Sequence, residues 1–213
     1  MKLDRSFYTR DTILVAKELL GCYLIHKTPE GITKGQIVEV EAYKGPKDKG
    51  AHSYKYRHTP RMDPLFKTGG FAYIFQVYGN NYCFNVVTQK ENMPEAVLIR
   101  ALKPCEGIEL MGKRRNINLS DSNRSKFKNL TNGPSKLCQA FDIKTFLNGI
   151  DLCDNELYIL SNSTSDANKE IVATPRINID YAEEYKDKLW RFFLDGNEFI
   201  SGNYGANIDL KGL

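Results

Sequence analysis

With 213 residues, 41% of them hydrophobic and 26% charged, the chain has the make-up of an ordinary globular protein with room for one sizeable domain. No apolar run is long enough to cross a bilayer, and the opening MKLDRSFYTRD has no apolar signal core, so an intracellular protein is expected. The net charge of +4 is concentrated in two basic segments, residues 44–61 and 113–128, each with six Lys/Arg against one acid.

Residues 11–20 read as a helix, with a polar start, an apolar stripe of Leu14, Val15 and Leu19, and Gly21 as its stop. CYLIHK, from Cys22, reads as a short strand, and EGITK as a turn into a longer one. That longer strand contains IVEVEAYKG, residues 37–45. Side chains alternate along a strand, so Glu39, Glu41 and Tyr43 are expected on the side of Ile37, and Val38, Val40 and Ala42 on the other. Residues 44–69 are rich in Gly, Pro, His, Lys and Arg without a period, as a long functional loop would be. FAYIFQVYGNNYCFNVVTQ reads as two strands joined at YGNN. AVLIRALKP is a buried strand with Arg100 near its end. KPCEGIELMGKRRN is a helix with Pro104 near its start, and NGPSKLCQAFDI a short helix after Gly-Pro. ELYIL and ATPRINIDY are further strands, AEEYKDKLWRFFL is a helix running into a strand, and the last dozen residues are loose. Strands rarely separated by helices argue for a mixed α/β (α+β) fold in one domain, residues 1–213, with a largely antiparallel sheet.

Two features carry chemistry. An arbitrary Glu-x-Glu is most often a solvated strand face, but Glu39 and Glu41 sit among apolar residues, roughly 6.5–7 Å apart along a strand. A carboxylate on a buried face is a candidate general base. Arg100, embedded in Val, Leu, Ile and Ala, is costly there unless it pairs, and Glu41 is its obvious partner. Such a pair holds a water molecule or is simply structural. The second feature is the crowd of aromatics interleaved with a basic loop, which suits stacking on nucleobases. The two basic segments, on a chain whose residues 151–199 hold eleven acids and five Lys/Arg, point to an electropositive face for a polyanion or to solvated loops. Five widely spaced cysteines without C-x-x-C suggest small buried hydrophobes, with neither disulfides nor zinc. His52 and His58 lack a third metal ligand in pattern, and no P-loop, G-x-G-x-x-G or nucleophilic Ser motif is present.

VEVEAYKGPKDKGAHSYKYRHTPR resembles a block of the alkyladenine (3-methyladenine) DNA glycosylases: a strand ending E-A-Y, then G-P-x-D, A-H-S and a basic segment ending T-P-R. AYIFQVYGNNYCFNVV, AVLIRALKP and NGPSKLCQAF resemble three further blocks, in the family's order, so the likeness covers nearly the whole chain. It implies a single domain built on a curved, mostly antiparallel sheet surrounded by helices. It implies hydrolysis of the N-glycosidic bond of a damaged purine flipped out of double-stranded DNA. Glu41 matches the general base and Arg100 the arginine that positions its water. Tyr43, His52 and Phe75 match the residues that sandwich the base, with Phe75 where the family usually has Tyr. Gly50, Ala51 and His52 match the segment that reads the base edge, and Asn85 the asparagine that crowds a guanine amino group. Tyr78 matches the wedge that fills the gap in the duplex. Asn80 stands where the mammalian member has methionine. Arg57, Thr59 and Arg61 match the loop that contacts phosphates. No lysine matches a Schiff-base nucleophile, so the resemblance implies a monofunctional enzyme that leaves an abasic site, needs no cofactor or metal, and works as a monomer away from membranes. A compact chain of this kind suits the bacterial cytoplasm. A catalytically inactive nucleic-acid-binding relative on the same fold is the alternative, and the presence of both Glu41 and Arg100 counts against it.

Overall fold

The computed structural model describes residues 1–119, 124–162 and 170–202. In chain order these form helices α1 (Arg5–Tyr8) and α2 (Thr12–Leu19), strands β1 (Tyr23–Thr28), β2 (Gly31–Tyr43), β3 (Ala72–Tyr78), β4 (Asn81–Thr88) and β5 (Glu95–Glu106). Helices α3 (Ile108–Arg115), α4 (Arg124–Lys128) and α5 (Pro134–Phe141) follow, then strands β6 (Leu157–Leu160), β7 (Ile171–Thr174) and β8 (Arg191–Leu194). The last dozen residues, expected to be loose, fall almost wholly outside the described residues.

β2 is the spine. Its β-branched and aromatic residues favour a pleated strand buried on both sides, and every residue from Gly35 to Ala42 is buried. One edge pairs along β5, and the other is shared between β1 and β8. The sheet runs β3-β4-β5-β2-β1-β6, with β8 beside β2 and β7 beside β8. All these pairings are antiparallel, giving one curled sheet with helices against it. Residues of α2, α3 and α5 join the sheet in the main core.

Asp11 caps α2, its carboxylate accepting from the backbone of Ile13 and Leu14 at 2.9 and 3.1 Å. The buried stripe is Thr12, Val15, Ala16 and Leu19; Leu14, expected in it, is exposed. The strict alternation expected along β2 also fails. Its register with β5 shifts on both sides of Glu39. An extra residue of this kind reverses the parity of a strand. Ile37 therefore packs in the same core as Val40 and Ala42, while Val38 packs with Ala101, Leu194 and Phe199.

Three element boundaries differ from expectation. Pro104 lies within β5, opposite Gly35, and α3 starts only after Gly107, whose φ of +73° breaks the strand. Arg100 accordingly lies in the middle of β5, not near its end. The strand expected through ATPRINIDY ends at Thr174, before Pro175, which has no N–H for a ladder. Residues 180–185 form a short 3-10 helix interrupted at Glu183, not a full α-helix. The long loop holds three short 3-10 helices, Gly45–Lys47, Tyr54–Tyr56 and Pro60–Phe66. Of the five cysteines, Cys22, Cys83 and Cys138 are buried, but Cys105 is exposed and Cys153 only partly covered.

Gly45 sets the exit from β2 into that loop. Its φ is +64°, and a Cβ there would stand 2.7 Å from the carbonyl oxygen of Pro94. Gly45→Ala is expected to cost about 2 kcal/mol or more, from left-handed strain and overpacking together. A urea-denaturation midpoint matching the wild type would contradict this.

Candidate active site

Glu41 and Arg100 meet where β2 and β5 run side by side. Arg100 Nη1 is 3.2 Å from Glu41 Oε1, and Arg100 Nε is 3.1 Å from Glu39 Oε1. Both carboxylates are fully buried. Glu39 also accepts from Arg191 Nε at 2.7 Å, from the backbone N–H of Ser201 at 2.6 Å and from Ser201 Oγ at 2.9 Å. Two carboxylates and two guanidiniums thus balance in one buried cluster, the condition under which such charges are tolerated. Burial works against the Arg100 charge, but Glu41 and Glu39 outweigh it and raise its pKa.

Glu41 has three protein donors. Oε1 accepts from the Ile177 N–H at 2.8 Å and faces Arg100; Oε2 accepts from Tyr43 Oη at 2.9 Å. Burial, and then the neighbouring Glu41 carboxylate, push the Tyr43 phenol well above its ordinary pKa, so it stays protonated and donates. A carboxylate offers about four lone-pair sites, so one remains for a further donor. Tyr43, Arg100 and Ile177 line a cavity of about 450 Å³, with Glu41 directly behind them.

Tyr43 is braced from behind. The Arg176 guanidinium lies 4.6 Å from its ring centroid and 5.1 Å from that of Trp190. Arg176 grips Asp48 with both ends, at 2.6 and 2.7 Å, and donates to the Ala42 carbonyl at 3.0 Å. Asp48 in turn accepts from the backbone of Gly50 at 2.9 Å and of Lys44 at 3.1 Å. One buried ion pair therefore ties the Tyr43 ring to the loop carrying Gly50, Ala51 and His52, all three of which line the cavity.

The other aromatic wall is His52, Tyr73 and Phe75. The His52 and Phe75 ring centroids are 4.5 Å apart at 62°. They form one wall together, with Tyr43 as a separate one. Asn85 lines the cavity and donates from Nδ2 to the Tyr73 carbonyl at 3.0 Å. Tyr78, 72% exposed at the β3–β4 turn, lines the mouth. Asn80 is exposed beside it, its carbonyl accepting from Gln139 Nε2 at 3.4 Å.

Asn80, Arg57, Thr59 and Arg61 do not line the cavity. Arg57 and Arg61 are exposed and form no ion pair among the described residues, whereas Lys44, Lys49, Lys113, Arg114 and Arg124 are all paired with acids. Among the described residues the first basic segment thus keeps Lys47, Lys55, Arg57 and Arg61 outside any ion pair. His58 pairs with Asp63 at 2.8 Å, and no three His, Cys, Asp or Glu among the described residues are grouped as a metal site.

Two histidines make stability depend on pH. Burial lowers the pKa of His26, and burial with the nearby Arg61 and Arg57 lowers that of His52. In the unfolded chain each protonates near about 6.5. Their contribution is complete above about pH 6.5 and is lost as the pH falls from there through the lowered folded values. Unfolding free energy measured in urea should therefore decline below about pH 6.5, and His26→Gln should flatten that decline.

The geometry is thus a buried carboxylate–arginine pair behind an aromatic cavity, with unpaired arginines nearby. Residues 6–198 match the model of the methylpurine-DNA glycosylase (MPG) family, and the chain belongs to that family. A protein of Clostridium acetobutylicum is 53% identical over 202 residues, which span 94% of this chain and 98% of that one. Proteins of Desulfitobacterium hafniense and Clostridium novyi are 48% and 47% identical over 201 residues, again 94% of this chain and 98% of each relative. All three carry the name "Putative 3-methyladenine DNA glycosylase". This chain is an enzyme of that glycosylase type. No helix among the described residues is long and apolar enough to cross a membrane.

Sequence reasoning brought Glu41 and Arg100 together but missed Asp48, Tyr73, Arg176, Ile177, Arg191 and Ser201. One signal was available. Arg176, in the alternating run ATPRINID, is as anomalous as Arg100, and Asp48 is the lone acid of the basic segment 44–61.

Proposed function

We propose that residues 1–213, working as one domain and as a monomer within a bacterial cell, excise an alkylated or deaminated purine from double-stranded DNA by base flipping. The observation that carries this reading is the Glu41–Arg100 contact behind the aromatic cavity. The flipped base lies between Tyr43 and the His52–Phe75 wall. The backbone of Gly50, Ala51 and His52 reads its edge, and Asn85 crowds a guanine amino group. Tyr78 wedges into the vacated stack, with Asn80 as a polar shoulder, and Arg57, Thr59 and Arg61 hold phosphates.

Water occupies the one acceptor position that Glu41 has left and is oriented by Arg100. Its oxygen forms the new bond to the sugar C1′, and its proton passes to Glu41. The C1′–N bond breaks, and its electron pair leaves with the base. The developing oxocarbenium charge is stabilised by the same carboxylate. A cationic alkylated purine leaves neutral and needs no proton, whereas a neutral deaminated purine needs more help. No cofactor enters, and the strand is left intact with an abasic site.

The test is base release from duplexes each carrying a single 3-methyladenine, 7-methylguanine, hypoxanthine or ethenoadenine. Release of at least one of these, without strand cleavage, is expected. Release of none, with binding to undamaged duplex intact, would favour the non-catalytic alternative.

A further inference from the structure

We propose that Tyr73 locks His52 in its Nε2–H tautomer, so that this wall of the cavity offers the flipped nucleotide a hydrogen-bond donor and not an acceptor. His52 Nδ1 lies 2.9 Å from Tyr73 Oη. The two rings meet edge to face, their planes inclined at 84°. Tyr73 is itself fixed. It sits on β3 opposite Asn85 of β4, accepts at its carbonyl from Asn85, and packs against Phe75 at 5.4 Å.

Four proton arrangements are conceivable for this pair, and three are disfavoured. An imidazolium is opposed by burial and by Arg61 and Arg57. A phenolate is opposed by burial, which pushes the Tyr73 pKa up to about 12. A neutral ring donating from Nδ1 to the phenol oxygen would leave the phenol hydrogen of a 2% exposed residue without an acceptor among the described residues. In the remaining arrangement the phenol donates to Nδ1, and both groups are satisfied. The ring hydrogen is then on Nε2, which has no protein partner among the described residues, while His52 lines the cavity.

The consequence concerns what the cavity selects. An atom of the flipped nucleotide that meets His52 must be an acceptor: a purine ring nitrogen, a sugar oxygen, or the carbonyl oxygen that replaces the amino group of adenine when the base is deaminated. Tyr73 is thus a positioning residue that acts through His52. What the donor meets rests on the glycosylase reading; the tautomer itself does not.

The chain has three histidines, so long-range ¹H–¹⁵N spectra of the full ¹⁵N-labelled protein resolve them after one His52→Asn comparison. Wild type is expected to show His52 protonated on Nε2 alone at neutral pH, and Tyr73→Phe a mixture of tautomers. Wild-type His52 protonated on Nδ1, or on both nitrogens, would overturn the proposal. So would an unchanged tautomer in Tyr73→Phe. Because this measurement needs no turnover, it stands or falls apart from the glycosylase reading. In the activity arm, Tyr73→Phe is expected to slow single-turnover release from an inosine-containing duplex by about tenfold, the loss expected for one hydrogen bond. A change of less than about twofold, with the tautomer altered, would overturn the selecting role.

Discussion

Glu41→Gln should slow single-turnover base release by about 10³-fold, within the 10²–10⁴ range of a general base, while affinity for undamaged duplex stays nearly constant. The substitution preserves shape and removes the capacity to take the proton of water. It also alters a balanced cluster. Glu39 and Glu41 together offset Arg100 and Arg191, and an amide at position 41 leaves one buried positive charge in excess. The amide nitrogen must in addition face one of the three donors that Glu41 now accepts from, so the Tyr43 phenol has to turn round or lose its partner. A loss of stability therefore accompanies the loss of rate, and thermal unfolding must be recorded beside the kinetics. Retained base release in a folded Glu41→Gln protein would sink the mechanism.

Arg176→Met should be the most damaging single change outside the Glu41 cluster, lowering stability by about 3–5 kcal/mol. It leaves Asp48, which is fully buried, without its cation, and it removes the donor to the Ala42 carbonyl. For a chain of this size the corresponding fall in Tm is about 6–20 °C. Asp48→Asn combined with Arg176→Met should recover part of the loss, because the uncompensated carboxylate is then gone. The single variant should also release base slowly, since Tyr43 loses its bracing and Ile177 its anchored neighbour. A fall in Tm below about 3 °C would show that the Asp48–Arg176 pair is dispensable.

The sheet and its charged centre were legible in the sequence for a simple reason. Glu41 and Arg100 each violate the apolar character of their strands, and the cheapest explanation of two violations of opposite sign is that they meet. Glu39 was harder. By residue pattern alone it looked equivalent to Glu41, and only the family resemblance singled out Glu41; the bulge and the contacts from Arg191 and Ser201 give Glu39 its own surroundings. The wall from Arg176 to Tyr181 was illegible because ATPRINIDY alternates like a strand. What ends the strand is Pro175, and what turns the chain afterwards is Asn178 at a φ of +60°. Arg176 finds its partner 128 positions away, a distance no local pattern reports. Tyr73 and His52 were both visible as aromatic residues, but a hydrogen bond between them depends on how the loop folds back over β3.

The spread of these contacts along the chain bears on when activity can arise during synthesis. Glu39 is held by Ser201, 162 positions later, and Glu41 by Ile177, 136 positions later. A ribosome has therefore made nearly all the described chain before the candidate base acquires its surroundings. Contacts so far apart in sequence form slowly and late. A nascent or prematurely ended chain would carry the aromatic loop and the exposed arginines without an assembled carboxylate, and so would meet DNA as a mere polycation. On the proposed mechanism, hydrolytic competence waits until the chain has passed Ser201.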